Sequence, residues 1–312
     1  MSELLRLSRR EALAAGLAAL SLRIASSADA PDKSLPLITK AIPSSGEKLP
    51  VIGLGTNNFN VTAPEEVAAR RAVLARLPDL GGSVVDTAPI YGRSESLIGE
   101  IVAGLGNRAR LFLASKVMAR DAEAGKASLE ESLRRLKVDR LDLMQVHNLV
   151  GVEALLPLLQ EWKKAGRIRY LGITTSSPSQ HPRMLEIMRS QALDFIQVDY
   201  SIGNRGAADE VLPLAHARGI AVLVNVPFGG RRGGNAFSQL DGRKLPEWAA
   251  EIDVTSWAQF FLKYAVSHPA VTCAIPGTTS VDHLEDNQRG GRGRLSDAAL
   301  RTRMEQFWDA KA

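Results

Sequence analysis

The chain has 312 residues, of which 45% are hydrophobic and 23% are charged, a composition typical of a soluble globular protein. Its formal net charge is +5, with the basic residues spread along the chain except for short Arg/Gly runs at 229–234 and 289–294. These runs lack interleaved aromatic residues, so they are typical of basic loops and not of a nucleic-acid-binding segment. One or two folded domains are predicted, with no nucleic-acid partner.

The first thirty residues differ in composition from the rest. A charged start is followed by the apolar stretch Ala12–Leu22 and by an Ala28-Asp29-Ala30 exit that matches a cleavage site. The apolar stretch is too short to span a membrane, and Ser8-Arg9-Arg10 resembles a twin-arginine export signal. An amphipathic helix is the alternative. We predict a signal peptide at 1–30, with the twin-arginine export machinery as partner, and a mature periplasmic domain at 31–312 that does not insert into the membrane. Without the signal, the protein would be cytoplasmic.

From residue 50 onward, short runs of β-forming residues alternate with amphipathic segments. The predicted strands are Val51–Gly55, Ser83–Asp86, Leu111–Lys116, Leu141–His147, Ile168–Thr174, Asp194–Asp199, Ile220–Val226 and Val271–Ile275. The predicted helices are Pro64–Leu77, Glu95–Leu105, Ala127–Leu136, Gly151–Ala165, Pro182–Ser190, Ala208–Arg218, Thr255–Ser267 and Val281–Asn287. This alternation predicts a parallel sheet. Eight units predict a closed (β/α)₈ barrel, the TIM-barrel class of α/β folds.

Three segments lie outside that alternation. Residues 38–53 contain a Ser-Ser-Gly turn and predict a hairpin over the amino-terminal end of the barrel. Phe228–Trp248 is a long Gly-rich loop after the seventh strand, and Ser296–Ala312 predicts a final helix. An open doubly wound sheet is the alternative fold, but "GLGTNN" (53–58) lacks the third glycine of its phosphate-binding fingerprint.

The single cysteine and the histidines give no sign of a metal site. Cys273 lies in the apolar run "AVTCAIPG", where one cysteine cannot form a disulfide within the chain and a buried structural thiol is expected. The five histidines are scattered, and no zinc-type spacing of Cys and His is present. No metal ligand is therefore predicted.

Polar residues occupy the ends of three consecutive strands. Asp86 ends the second predicted strand and Tyr91 follows in a turn, while Lys116 and His147 end the next two strands. Because active sites of such barrels lie at the carboxyl ends of the strands, all four side chains should face one pocket. Each alone has a structural explanation, but a lysine and a histidine on apolar strands need partners in a shared polar site.

Together these four groups suit the delivery of a proton to a carbonyl oxygen. A free phenol is a weak acid at neutral pH, and the Lys116 ammonium would favour the ionised form of Tyr91. Asp86 would keep Lys116 charged, and His147 would orient the carbonyl or help to relay the proton. None of these side chains can supply a hydride, so a nicotinamide cofactor is implied.

Several segments in order resemble the aldo/keto reductase family. They are "GLGT" (53–56), "DTAPIYGRSESLIGE" (86–100), "SKV" (115–117), "QVHN" (145–148), "IRYLGIT" (168–174), "FIQVDY" (195–200) and "IPGTTSVDHLEDN" (275–287). The block that begins at Asp86 is the most specific of them. The resemblance implies a catalytic tetrad of Asp86, Tyr91, Lys116 and His147, with Tyr91 as general acid in the reduction of an aldehyde or ketone.

The resemblance also implies contacts to the nicotinamide. Gln197 matches the residue that contacts the carboxamide, whereas the family's usual Ser-Asn pair after strand five is Thr174-Thr175 here. The aromatic residue that often stacks on the nicotinamide corresponds to Asn225 in "LVNVPFGG". The departure at Asn225 is compatible with a looser or differently oriented nicotinamide ring, or with another stacking partner.

At the adenosine end, the usual basic residues around the 2′-phosphate are replaced by Gly277 and His283. Arg231, Arg232, Arg289 or Arg292 are candidates to compensate. NADP(H) is predicted as the cofactor, with NAD(H) as the alternative. The full set of predicted cofactor-binding residues is Gly55, Thr56, Thr174, Thr175, Gln197, Asn225, Pro227, Phe228, Gly229, Gly277, Thr278, Thr279, His283, Asp286 and Asn287.

Two other functions remain open at this point. The departures at Thr174, Thr175 and Asn225 are compatible with a cofactor-binding regulatory or sensor barrel that turns over little. A lyase or aldolase could use Lys116 as a Schiff base, but a neighbouring Asp86 disfavours this role because it keeps the amine charged.

Overall fold

The computed structural model describes residues 35–230 and 234–310. The predicted signal peptide at 1–30, together with Arg231 and Arg232, lies outside the described residues. Within residues 35–230 and 234–310, no helix is long and apolar enough to cross a membrane. The same residues contain no cluster of histidine, cysteine and carboxylate side chains that could hold a metal ion.

Eight parallel strands follow one another around a barrel, and a hairpin precedes them. The hairpin strands are β1 (Thr39–Ala41) and β2 (Lys48–Pro50). The barrel strands, hydrogen-bonded in chain order, are β3 (Leu54–Gly55), β4 (Val84–Asp86), β5 (Phe112–Val117), β6 (Leu141–His147), β7 (Ile168–Thr174), β8 (Phe195–Asp199), β9 (Ala221–Asn225) and β10 (Val271–Ala274). Gly53 N donates to Ala274 O at 2.8 Å and Gly55 N donates to Pro276 O at 2.9 Å, which joins the last strand to the first. The predicted barrel with an amino-terminal hairpin is confirmed.

Helices surround the strands on the outside. They are α1 (Pro64–Arg76), α2 (Ser94–Leu105), α3 (Ala122–Leu136), α4 (Val152–Lys164), α5 (His181–Ser190), α6 (Val211–Ala217), α7 (Trp257–Val266), α8 (Val281–Arg289) and α9 (Ala298–Asp309). Helix α3 begins five residues before its predicted start because the Asp121 carboxylate accepts from Ala124 N at 2.8 Å and caps it. Helix α6 is shorter than predicted, since Gly206–Ala208 forms a separate 3₁₀ turn before it.

The apolar interior forms two clusters. The larger one lies between the strands and the helices. The smaller one fills the barrel itself and contains Ile42, Leu49, Val84, Phe112, Ala114, Leu143, Tyr170, Phe195, Ala221, Leu223, Cys273 and Ile275. Ile42 and Leu49 come from the hairpin, so the hairpin closes the amino-terminal end of the barrel as predicted. We call this cluster the barrel floor.

Toward the carboxyl ends of the strands, the inward-facing side chains become polar. Side chains two residues apart on a strand point to the same face. The inward-facing residues are Phe112, Ala114 and Lys116 on β5, Leu143, Gln145 and His147 on β6, and Phe195, Gln197 and Asp199 on β8. The strand register therefore places a polar layer, which we call the barrel mouth, directly above the floor.

Candidate active site

The barrel mouth is centred on a buried ion pair. Lys116 Nζ lies 2.6 Å from Asp86 Oδ2 and also donates to Thr87 O at 2.9 Å. The Lys116 side chain is 1% exposed and that of Asp86 is 4% exposed. Burial by itself lowers the pKa of Lys116, but the Asp86 carboxylate and the Tyr91 hydroxyl outweigh it and raise the pKa above its usual value. Lys116 is therefore a permanent cation at neutral pH.

Tyr91 reaches the ion pair from a tight turn. Pro89–Tyr91 forms a single 3₁₀ turn after β4, and Gly92 follows with a φ of 63° and a ψ of −122°, a conformation that favours glycine. A Cβ on Gly92 would also lie 2.4 Å from the Asn60 side chain. The turn brings the Tyr91 ring to 5.0 Å from Lys116 Nζ.

His147 completes the predicted set. It ends β6, is 7% exposed, and its ring centroid lies 6.2 Å from that of Tyr91 with the ring planes at 89°. The structure therefore brings the four side chains of the predicted tetrad together at one end of the barrel, as their positions at strand ends require. Their catalytic roles remain predictions.

A cleft of about 380 Å³ opens above these residues. Asp86, Tyr91 and His147 line it. Its other lining residues include nine of the predicted cofactor-binding residues, namely Gly55, Thr56, Thr174, Gln197, Asn225, Pro227, Phe228, Gly229 and Gly277. Among the described residues that line the cleft, none is a lysine or an arginine.

Other predicted cofactor residues are engaged within the protein. Asp286 Oδ1 accepts from Gln259 Nε2 at 2.6 Å and its Oδ2 accepts from Ser256 Oγ at 2.8 Å, which ties α8 to α7. Asn287 Nδ2 donates to Thr278 Oγ1 at 2.8 Å. The residues of the predicted set that do not line the cleft are Thr175, Thr278, Thr279, His283, Asp286 and Asn287.

Arginines that the sequence offered for the 2′-phosphate are also accounted for in part. Arg292 donates to Leu35 O at 3.0 Å and to Leu80 O at 2.8 Å, and it does not line the cleft. The Arg292 guanidinium group therefore connects two backbone segments of the barrel.

Sequence reasoning missed two kinds of residue at the site. Ser94 connects Thr56 Oγ1, at 3.0 Å, to Thr87 Oγ1, at 2.9 Å, and so links the residues that follow β3 and β4. Ser115 Oγ donates at 2.6 Å to Glu95, whose pKa is raised mainly by burial. Ser94 and Glu95 belong to the "YGRSES" block, so their sequence signal was present without an assigned role.

The second kind is a group of asparagines. Asn57, Asn58, Asn148 and Asn235 line the cleft. Asn148 has a φ of 53°, a left-handed conformation that asparagine tolerates better than most residues. The sequence signal for these residues was their position: Asn57 and Asn58 come shortly after the end of β3, and Asn148 follows the end of β6.

Comparisons with known proteins place this fold among solved barrel structures. The holo form of the aldo-keto reductase AKR11C1 from Bacillus halodurans superposes with a TM-score of 0.71 at 24% identity, over 89% of this chain and 98% of that one. An aldo/keto reductase from Klebsiella pneumoniae in complex with NADP and acetate gives a TM-score of 0.68 at 25% identity, over 84% and 93% of the two chains. The fold class is therefore that of the (β/α)₈ reductases.

The sequence comparisons establish the family. The model of the aldo/keto reductase family matches residues 51–302. The methylglyoxal reductase YeaE of Escherichia coli is 30% identical over 271 residues, which cover 84% of this chain and 92% of that protein. The chain belongs to the aldo/keto reductase family, and it is an oxidoreductase of that family. The resemblance stated from the sequence motifs is confirmed.

Proposed function

We propose that this protein reduces an aldehyde or ketone to an alcohol with NADP(H), and that Tyr91 acts as the general acid. The observation that carries the proposal is the Asp86–Lys116 ion pair at 2.6 Å, buried beside the Tyr91 ring at the base of the cleft. Two proteins similar to this chain support the choice of cofactor: the Klebsiella reductase is described with NADP, and a relative from Schizosaccharomyces pombe carries NADP(+) in its name.

The residues of the cleft fit a nicotinamide cofactor. Gly229, Gly230 and Gly277 line it without side chains, which permits a dinucleotide to approach the backbone closely. Asn225 carries a buried amide oxygen that has no donor among the described residues, and its amide nitrogen donates to Gln197 Oε1 at 3.4 Å. Because no described lysine or arginine lines the cleft, NAD(H) remains the alternative cofactor.

A nicotinamide cofactor held in the cleft by residues such as Gln197 and Asn225 would supply the hydride for the carbonyl carbon. The Tyr91 hydroxyl gives its proton to the carbonyl oxygen as that carbon is reduced. The Lys116 ammonium stabilises the phenolate left behind. Asp86 holds Lys116 in place, and His147 donates a hydrogen bond that orients the carbonyl.

Replacing Tyr91 with phenylalanine tests the proposal. Tyr91→Phe should lower kcat/KM for small aldehydes by on the order of 10²–10⁴-fold, the usual contribution of a positioned acid, with NADPH binding retained. Tyr170→Phe is a matched control, because Tyr170 lies on the barrel floor and donates to Glu47 and Ser45 instead. Undiminished turnover by Tyr91→Phe would overturn the assignment.

The same assays separate the alternative functions. Tight cofactor binding without NADPH oxidation across a panel of aldehydes and ketones would support the regulatory or sensor barrel. Borohydride trapping of a substrate on Lys116 would support the Schiff-base lyase. The Asp86–Lys116 pair argues against the latter, since a protonated amine is not a nucleophile.

We also propose that the protein is exported to the periplasm through the twin-arginine pathway with its cofactor already bound. The support is the Arg9-Arg10 pair and the signal-like composition of residues 1–30. This pathway carries folded proteins, and a free nicotinamide cofactor is not expected outside the cytoplasm. The double variant Arg9→Lys/Arg10→Lys should remain in the cytoplasmic fraction. Periplasmic protein that purifies without any nicotinamide would contradict the proposal that the cofactor travels with it.

A further inference from the structure

A chain of hydrogen bonds runs from the ion pair into the wall of the cleft. An ionised carboxylate can only accept hydrogen bonds. Asp86 Oδ2 is taken by Lys116 Nζ, and its Oδ1 accepts from Gln197 Nε2 at 2.8 Å. The carboxylate therefore fixes the orientation of the Gln197 amide, with the nitrogen toward Asp86 and the oxygen away from it.

That orientation fixes the next amide in turn. Gln197 Oε1 accepts from Thr174 Oγ1 at 3.0 Å and from Asn225 Nδ2 at 3.4 Å. Asn225 Nδ2 donates at 3.0 Å to a second acceptor, Thr175 O. Since both neighbours of Nδ2 are acceptors, the reverse orientation of the Asn225 amide would place oxygen against oxygen.

This series of hydrogen bonds ends at an oxygen atom of Asn225 that has no donor. Asn225 Oδ1 is shielded from solvent and has no hydrogen-bond partner among the described residues. A buried polar atom in this state is destabilising unless a bound molecule satisfies it. Asn225 lines the cleft together with Thr174 and Gln197, so the molecule in question is one that occupies the cleft.

Gln197 supplies the complementary group. Its Nε2 carries two hydrogens and makes one hydrogen bond to the described residues, the bond to Asp86. A remaining N–H of Gln197 and the free Oδ1 of Asn225 thus belong to two side chains in contact. A primary carboxamide, which carries a C=O acceptor and an NH₂ donor, is complementary to this pair in hydrogen-bonding character. A carboxylate does not, because its oxygens would face Oδ1.

We propose that Asn225 is a specificity residue whose Oδ1 accepts a hydrogen bond from the carboxamide NH₂ of the nicotinamide. This inference rests on the proposed function, because it requires a nicotinamide cofactor in the cleft. Asp86 orders the site at both ends: one carboxylate oxygen holds Lys116 beside Tyr91, and the other orients the amides that select the carboxamide.

The test compares NADP⁺ with its 3-acetylpyridine analogue, in which a methyl group replaces the carboxamide NH₂. Binding is measured by calorimetry, so no turnover is needed. The wild-type protein should bind NADP⁺ about tenfold more tightly than the analogue, the effect of one good hydrogen bond. Asn225→Leu, which keeps the branching of the side chain at Cγ and removes the acceptor, should bring the two affinities within about twofold of each other.

Two further variants keep the test decisive. Gln145→Leu is the matched control: it removes the other amide that donates to Asp86 Oδ1, at 3.5 Å, but leaves Asn225 Oδ1, so the preference for NADP⁺ should persist. Asn225→Ala serves if the leucine variant does not fold, and it should also lose the preference. Equal binding of the two nucleotides by the wild-type protein, or a full preference retained by Asn225→Leu and Asn225→Ala, would overturn the inference. Absence of binding to either nucleotide by the wild-type protein would instead overturn the proposed function.

Discussion

The floor and the mouth of the barrel are equally buried but are stabilised in different ways. The floor packs Phe112, Tyr170 and Phe195 with ring centroids 5.5–6.0 Å apart, and its contribution comes from apolar burial. The mouth holds the side chains of Asp86 and Lys116 at 4% and 1% exposure, where each charge is tolerated only because it is paired.

This difference assigns separate tasks to two layers of the same strands. Losing an apolar side chain from the floor leaves a cavity, whose effect is on stability. Losing one charge from the mouth leaves its partner buried and unpaired, which affects both stability and chemistry. Variants of the two layers should therefore separate activity from stability.

The largest effect is expected in the mouth. Lys116→Met should abolish detectable reduction and lower the free energy of unfolding by roughly 3–5 kcal/mol, because Asp86 stays buried without its cation. Denaturant titration and NADPH oxidation measure the two losses. In the double variant Lys116→Met/Asp86→Asn, stability should partly return while activity does not. Recovery of activity in the double variant would show that the charges are not needed for the reaction.

In the floor, Phe195→Ala should lower the free energy of unfolding by about 3–5 kcal/mol, the usual loss for a buried aromatic ring. Because Phe195 is part of the floor and does not line the cleft, kcat should stay within about twofold where the variant remains folded. Urea titrations and initial rates at low temperature measure the two quantities. A tenfold fall in kcat with the fold intact would mean that the layers are coupled.

His268 lies outside the floor and the mouth, and its protonation should make the free energy of unfolding depend on pH in the acidic range. Burial lowers the pKa of His268 to about 4, and the charges of Arg301, Lys40 and His216 add to the effect. Its Nδ1 accepts from Ala270 N at 3.2 Å, which requires the neutral ring.

The unfolded chain binds a proton at His268 more readily than the folded protein does. The neutral ring of His268 therefore makes its full contribution to the free energy of unfolding above about pH 6.5. This contribution is lost as the pH falls toward 4, the pKa in the folded protein. His268→Gln should therefore flatten the decline in the free energy of unfolding between these pH values, as followed by urea titration. If the pH dependence of the free energy of unfolding did not change in this variant, other groups, such as those of the mouth, would be responsible for the loss of stability in acid.

The smallest effect is expected at Cys273. It lies in the floor at 0% exposure, and burial raises the pKa of its thiol far above the usual value. Because the thiolate is the reactive form, an aromatic disulfide reagent should not label the folded protein and should label it fully in denaturant. Fast labelling under native conditions would show that the floor opens to solvent.

Much of the fold could be predicted from the sequence because its signals are local. Strand β6 and strand β7 lie at their predicted bounds, Leu141–His147 and Ile168–Thr174. Helix boundaries were less accurate where a cap or turn decided them, as at Asp121. The tetrad was also predictable, since parallel strands bring their carboxyl ends to the same side of the sheet.

The partners of individual polar groups could not be predicted in this way. Asp86 and Gln197 are 111 residues apart in the chain, and no local pattern links them. Asp286 is predicted from the sequence to bind the cofactor, and in the fold its carboxylate accepts from Ser256 and Gln259. Which acceptor a side chain finds depends on neighbours from other strands and helices.

The sequence by itself determined the barrel, the family and the position of four ionisable residues at strand ends, because strand periodicity and motif spacing are properties of the linear chain. Only the tertiary structure decided how the amides of Gln197 and Asn225 are oriented. That orientation begins at the Asp86 carboxylate and passes from strand to strand through hydrogen bonds. Each bond has a direction, because a donor must meet an acceptor, and the direction is set only when the strands are assembled.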